Sequence, residues 1–166
     1  MPASVKPVPE GFHTVTPTLC VQNAAAAIDF YKKALGAEER MRMAGPDGKI
    51  GHAEIKIGDS VIFLSDEMPM PGCARSPQTL GGTTGGLYLY VEDVDEAFQR
   101  AVDAGGEVMS PVTDMFWGDR HGAFTDPFGH TWSLSTHTAD LSEREIEEGA
   151  KKWQAQMAEE AQKKSA

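Results

Sequence analysis

Two copies of one pattern run through this chain, 70 residues apart (91 − 21 and 106 − 36). "VQNAAAAIDFYKKALGAEE" opens at Val21, with Gly36 closing its helix, and "VEDVDEAFQRAVDAGGEV" opens at Val91, with Gly106 in the matching place. Each copy starts on the last valine of a strand-like run, enters an amphipathic helix and stops at glycine. A repeat that keeps register across a whole helix marks a duplicated supersecondary unit.

In the first helix Ala24, Ile28, Tyr31 and Leu35 follow the i, i+4, i+7, i+11 spacing of a buried stripe. Asn23 is placed to cap its start and Gly36 its end. In the second, Asp93 with Glu96 makes a capping box, and Ala97, Phe98, Ala101 and Val102 form the stripe. Strands are expected before each helix, at Thr14–Val21 and Gly85–Val91. Three short strands are expected after each: Glu38–Met43, Ile50–Ile57 and Ser60–Ser65, then Glu107–Thr113, Ala123–Thr125 and Thr131–Thr136. "GPDG", "GD" and "DPFG" supply the turns. The pattern is βαβββ, twice.

The segments are an N-terminal extension over 1–11, a first module over 12–65, a linker over 66–83, a second module over 84–138 and a C-terminal helix over 139–166. The linker is rich in Met, Pro and Gly, and a segment of this length inside a small chain is a lid or a disordered connection. In the tail, Ser142 with Glu145 repeats the capping-box signal, and Ile146, Ala150, Trp153 and Met157 make one apolar stripe on a charged helix. Trp153 must cover the sheet or a second subunit.

The net charge of −10 argues against nucleic acid or an anionic membrane as partner, since both are polyanions. No apolar run approaches the ~18 residues of a membrane span, and "MPASVKPVPEG" lacks the apolar core of a signal peptide. Cys20 and Cys73 have no cysteine or histidine at metal spacing. Together these predict a cytoplasmic protein with reduced thiols.

The duplicated unit, with "AIDFYKKALGAEE" in one copy and "DPFGHTWSL" in the other, resembles the vicinal oxygen chelate superfamily of glyoxalase I, bleomycin-resistance proteins and extradiol dioxygenases. "GHAEIKIGDSVIFLSDE" and "WGDRHGAFTDPFGHTWSLSTH" are most similar to its PhnB-like branch, and the likeness spans about Phe12 to Thr138. The resemblance implies an α+β fold: two βαβββ modules forming a curled, mostly antiparallel sheet around a cavity, with a C-terminal helix added. It also implies a homodimer, because members of this fold usually bury sheet edges and an apolar face against a partner.

Metal-dependent members carry ligands, commonly His, Glu, His, Glu, on the first and last strand of each module. Carried over by position, these fall on Thr16, on Phe63 (or Ser65 if the strand slips by one pair), on Gly86 and on Ser133. None is a carboxylate or imidazole, and a divalent cation needs three or four N, O or S donors. No cofactor and no metal are therefore expected. A relocated site would draw on His52 and Glu54, two apart on one strand, with His121 or His130 from the other module. The alternation of His52, Glu54 and Lys56 against Ala53, Ile55 and Ile57 is equally that of a half-exposed strand.

"FWGDRHGAFTDPFGHTW", Phe116 to Trp132, is the densest cluster of aromatic and charged residues. Its first part is expected in a loop, with Trp117 as a stacking wall and Arg120 as a bidentate donor to an anionic or carbonyl-bearing ligand. Trp117 as a plug and Arg120 in an ion pair with Asp119 or Asp126 would be the structural alternative. His130 and Trp132 read as structural. The predicted pocket takes Thr16, Phe63, Ser65, Tyr88, Trp117, Arg120 and Ser133, mostly apolar with a few hydroxyls. Three functions remain open: a metal-free binding protein for a small aromatic, carbonyl or carboxylate compound; an enzyme acting on a small carbonyl, phenolic or phosphonate-related metabolite through His52, Glu54 or Arg120; and a domain retained for assembly.

Overall fold

The computed structural model describes residues 5–164; residues 1–4 of the N-terminal extension lie outside the described residues. Among the described residues eight strands and four helices follow in the order β1 (Thr18–Val21), α1 (Ala24–Leu35), β2 (Glu38–Ala44), β3 (Ile50–Ile57), β4 (Ser60–Asp66), α2 (Pro77–Leu80), β5 (Gly86–Tyr90), α3 (Val94–Asp103), β6 (Glu107–Asp114), β7 (Asp119–Thr125), β8 (Thr131–His137) and α4 (Glu143–Lys164).

Two four-stranded sheets result, in the orders β1-β4-β3-β2 and β5-β8-β7-β6. The first pair in each, β1 with β4 and β5 with β8, is parallel and the rest are antiparallel. This is the duplicated βαβββ unit, and the fold is α+β. The caps form as their sequence requires: Asn23 Oδ1 accepts from Ala26 N at 3.0 Å and Asp93 Oδ1 from Glu96 N at 3.0 Å. Gly36 closes α1 in the left-handed conformation.

α1 and α3 pack against one another and against the sheets, and the apolar faces of both modules merge into one core. Leu19, Val21, Ile55, Leu64, Phe124, Trp132 and Leu134 face it. Burial of side chains this large stabilises the fold by roughly 1.5–3 kcal/mol each. One carboxylate joins the modules. Asp126 Oδ2 accepts from the Tyr31 hydroxyl of α1 at 2.7 Å and from Trp132 Nε1 at 2.8 Å, while Oδ1 accepts from the backbone of Phe128 and His130 at 2.9 Å each. His130 Nε2 adds a bond of 3.0 Å to the Cys20 carbonyl in the other module.

Three expectations change. The first strand begins at Thr18, not Thr14, because Pro17 has no N–H to pair and instead offers its carbonyl to Phe63 N at 2.9 Å. The linker is not wholly irregular: Ser76 caps the single turn α2, with Pro77 in its first position. Most consequentially, β7 starts at Asp119 rather than Ala123, so Asp119, Arg120 and His121 alternate across a sheet instead of sharing a loop.

Candidate functional site

Gly118 makes the turn into β7. Its φ is 92°, and a Cβ there would lie 2.2 Å from the Ala139 carbonyl oxygen, so glycine is required. The Gly118 carbonyl accepts from Thr138 N and Ala139 N at 2.8 and 3.0 Å, tying the turn to the chain that leaves β8. This fixes Trp117 before the turn and Asp119 after it.

Register and alternation sort the side chains of the second sheet onto two faces. Leu87, Leu89, Trp132, Leu134 and Phe124 lie on the helix side. Tyr88, Tyr90, Ser133, Ser135, Asp119 and His121 lie on the other. Asp119 is only 3 % exposed, and it organises that face. Its Oδ2 accepts from the Tyr90 hydroxyl at 3.0 Å, Trp117 Nε1 at 3.1 Å and the Tyr88 hydroxyl at 3.4 Å; its Oδ1 bonds His137 Nδ1 at 2.8 Å. Burial alone would raise the Asp119 pKa, but the bonds from His137, Tyr90 and Trp117 outweigh it and hold the carboxyl below its usual value. The reciprocal effects are visible at its partners: the Asp119 and Asp140 carboxylates raise His137, and Asp119 raises Tyr90.

A second chain of polar contacts starts at the same tyrosine. The Tyr88 hydroxyl bonds the buried Ser135 hydroxyl, which lies 3.0 Å from His121 Nδ1. Burial lowers the His121 pKa, partly opposed by Asp119, so its ring is neutral at physiological pH. The rings then form one contiguous series. Tyr90 and Tyr88 centroids are 5.3 Å apart, Tyr88 stacks on His121 at 5.5 Å and 11°, and His121 meets Trp117 at 5.9 Å. Trp117 is 5.0 Å from Phe116, which is 5.9 Å from Trp153 of α4. Gly149 allows that approach, since a Cβ there would lie 2.9 Å from Phe116 Cβ. With Tyr88 46 % and Tyr90 66 % exposed, the series presents a partly open aromatic surface.

Arg120 does not join it. Its guanidinium lies on the helix side of the sheet, bonded to Asp95 of α3 at 2.6 and 2.8 Å and to Asp114 at 3.0 Å. These two carboxylates raise its pKa further. The residue is separated from Trp117 by strand alternation, and its donors are already committed.

The remaining predicted residues gather on the first sheet. Phe63, Ser65, His52 and Glu54 lie on the face away from α1, in register with Thr18, Cys20 and each other. His52 packs edge-on to Phe63 at 4.8 Å, and Glu54 pairs with Arg40 at 3.5 Å and His52 at 3.7 Å. Phe12 adds a ring 5.9 Å from Phe63 and receives the Arg40 guanidinium at 5.0 Å. Thr16 lies before β1, half-buried. Among the described residues no hydrogen bond, ion pair or ring contact joins this group to the Tyr88–Trp117 group. A cleft of about 480 Å³ between the modules, lined by Val15, Pro17, Ile62, Leu87, Leu89 and Tyr88 among others, reaches Tyr88 from the first-module side.

For a metal, the positions carried over from the superfamily hold Thr16, Phe63, Gly86 and Ser133, which offer two hydroxyls and no anionic or imidazole donor. That donor set does not fit a divalent cation. The alternative grouping is not assembled: His130 is buried on the Cys20 carbonyl, His121 is bonded to Ser135, and His52 and Glu54 are on the other sheet. Among the described residues no group of three or more His, Cys, Asp or Glu side chains is placed to hold an ion.

The sequence pattern alone does not place Asp119, Ser135, His137, Tyr90 or Phe116 in the pocket. The signal for Asp119 and His121 is in "DRHGAFT", where reading β7 from Asp119 puts both on one face.

Comparison with known proteins agrees with this architecture. Residues 11–134 match the family model of the glyoxalase/bleomycin resistance protein/dioxygenase superfamily. The chain belongs to that superfamily, the vicinal oxygen chelate fold. The uncharacterized protein Rv0887c of Mycobacterium tuberculosis is 44 % identical over 135 residues, covering 80 % of this chain and 79 % of that protein. Among solved structures, TioX from Micromonospora sp. ML1 superposes with a TM-score of 0.62 at 26 % identity, covering 75 % of this chain and 98 % of TioX. Two more distant structures share the fold alone. The PhnB protein from Bacillus cereus has a TM-score of 0.58 at 17 % identity, covering 75 % and 99 % of the two chains. The fosfomycin resistance protein FosX from Listeria monocytogenes, solved with Mn(II) and sulfate, has 0.57 at 19 %, covering 80 % and 96 %.

Proposed function

We propose that the chain is a small-molecule-binding protein that takes a planar aromatic compound, without a metal, against the Tyr88–His121–Trp117 face of the second sheet. The observation that carries this reading is the Asp119 carboxylate. It holds two phenols and an indole by their polar edges and so fixes the orientation of the rings before any ligand arrives. Pre-oriented aromatic walls with a few hydroxyls suit a flat ligand and lower the ordering cost of binding it. Ser133 and the Tyr88 hydroxyl would meet a carbonyl or phenol at its rim, with the buried Ser135 hydroxyl supporting Tyr88 from behind. Arg120, held by Asp95 and Asp114, would not contribute a charge, so a carboxylate is not required. The absence of carboxylate and imidazole donors at Thr16, Phe63, Gly86 and Ser133 supports the metal-free part.

The enzyme reading has one observation in its favour. Neutral His121, hydrogen-bonded through Ser135 to Tyr88, could accept a proton from a bound phenol or carbon acid. It would use His121 and Tyr88 rather than His52 and Glu54.

We further infer a homodimer in the cytoplasm. Met41 and Met43 on β2, and Val108 and Met109 on β6, are exposed apolar residues on edge strands, and Trp153 and Met157 add more on α4. Free Cys20 and Cys73 fit a reducing compartment. Sedimentation at micromolar concentration should give twice 17.9 kDa, and a monomer would overturn the dimer. The function itself is tested by a thermal-shift screen of neutral planar aromatics. Hits should raise the melting temperature by mass action, whereas a broad panel without one at millimolar concentration contradicts the reading.

A further inference from the structure

The chain has two cysteines, 53 residues apart (73 − 20), and the fold brings them together. Leu19 and Val21 of β1 point into the core, and Cys20 between them points to the opposite face, in register with Ser65. There it is covered by the linker: the Cys20 thiol donates to the carbonyl of Ala74, the residue after Cys73, at 3.2 Å. Cys20 is 7 % exposed, whereas Cys73 is exposed.

The loop that carries Cys73 is held at both ends. Glu67 N donates to the Val21 carbonyl at 2.7 Å, and the Glu67 carboxylate accepts from the Ser76 backbone and hydroxyl at 3.1 and 2.7 Å and from the Thr79 hydroxyl. Between these anchors, Gly72 has a φ of 84°, a conformation glycine adopts freely. Burial most of all, then the charges of Glu67, Asp66 and Cys73, raises the Cys20 pKa.

We propose that Cys20 and Cys73 form an intramolecular disulfide when the protein meets a small-molecule disulfide oxidant, clamping the linker onto β1. The exposed Cys73 thiolate attacks one sulfur of the oxidant and expels a small thiolate, leaving a mixed disulfide on Cys73. Cys20 then gives its proton to water, and its thiolate attacks Cys73 Sγ and expels the second small thiolate. Two protein thiols are oxidised, one small disulfide is reduced to two thiols, and the chain loses two hydrogen atoms. A disulfide needs its Cα atoms within roughly 7 Å. Cys20 is already bonded to the residue beside its partner, and the backbone at Gly72 supplies the adjustment. Once formed, the bond resists reversal because a thiol of raised pKa is a poor leaving group. The loop it closes is long, so the clamp stabilises the fold against unfolding.

This proposal does not depend on the ligand-binding reading. The full chain is incubated at about pH 8 with oxidised glutathione, quenched with iodoacetamide in denaturant, and analysed by intact mass and non-reducing peptide mapping. The expected product is a single chain, not cross-linked to another, lighter by two hydrogens, without alkylation, in which the Cys20 and Cys73 peptides are joined. Its melting temperature should rise by about 5 °C. Cys20→Ser should stop at the glutathione adduct on Cys73. A wild-type chain that keeps glutathione on Cys73 with Cys20 alkylated, that links to a second chain through Cys73, or that does not react would overturn the proposal.

Discussion

Asp119 Oδ1 lies 2.8 Å from His137 Nδ1, and the other oxygen of the same carboxylate holds Tyr90 and Trp117. One nearly buried acid thus connects the last residue of β8 to the aromatic face of the second sheet. Asp119→Asn keeps the shape but replaces a charged acceptor with an amide that turns one donor toward its partners. Charge-assisted bonds of this kind contribute about 1.5–3 kcal/mol, and the variant should lose stability on that scale. Urea denaturation measures the loss. A variant as stable as the parent would show that Asp119 does not organise the face.

The same pair sets a pH dependence. His137 is raised in the folded protein by Asp119 and Asp140, so its contribution is complete below the ordinary histidine value of about 6.5 and is lost as pH rises through the folded value. Asp119 behaves in the opposite sense. Its folded pKa is lowered by bonds that outweigh burial, so its contribution is present above the ordinary value of about 3.9 and is lost as pH falls through the folded value. The pair stabilises most between about pH 4 and 6.5. Melting temperatures of the parent should fall more steeply above neutrality than those of His137→Asn. Parallel curves would contradict this.

Arg120→Ala tests the position of that side chain. Its partners Asp95 and Asp114 lie on the helix side, so removing the guanidinium should leave affinity for a planar ligand within about twofold and leave Trp117 fluorescence unchanged. A loss of binding of tenfold or more would return Arg120 to the site.

Much of the fold can be read from local chemistry. Asn23, Gly36 and Asp93 mark helix ends because capping depends on residues within one turn. The 70-residue offset then shows that the same unit occurs twice. The site is less legible. Whether Arg120 neighbours Trp117 depends on where β7 begins, and moving that start to Asp119 sends the side chain to the opposite face. The separation of Phe63 and His52 from Tyr88 is likewise a matter of which sheet each occupies, and no local motif encodes it. Asp119 itself reads as an ordinary surface acid until Tyr90 and His137, from two other strands, are seen to converge on it.

The most direct test of the account is calorimetric titration of the parent, Trp117→Ala and Trp117→Phe with one planar aromatic compound found by the thermal-shift screen. Loss of a stacking wall from an oriented site should weaken binding by roughly tenfold in Trp117→Ala, equivalent to about 1.4 kcal/mol, while Trp117→Phe should recover part of it. Unchanged affinity in Trp117→Ala, with the fold intact, would contradict the assignment of the second-sheet face as the binding site.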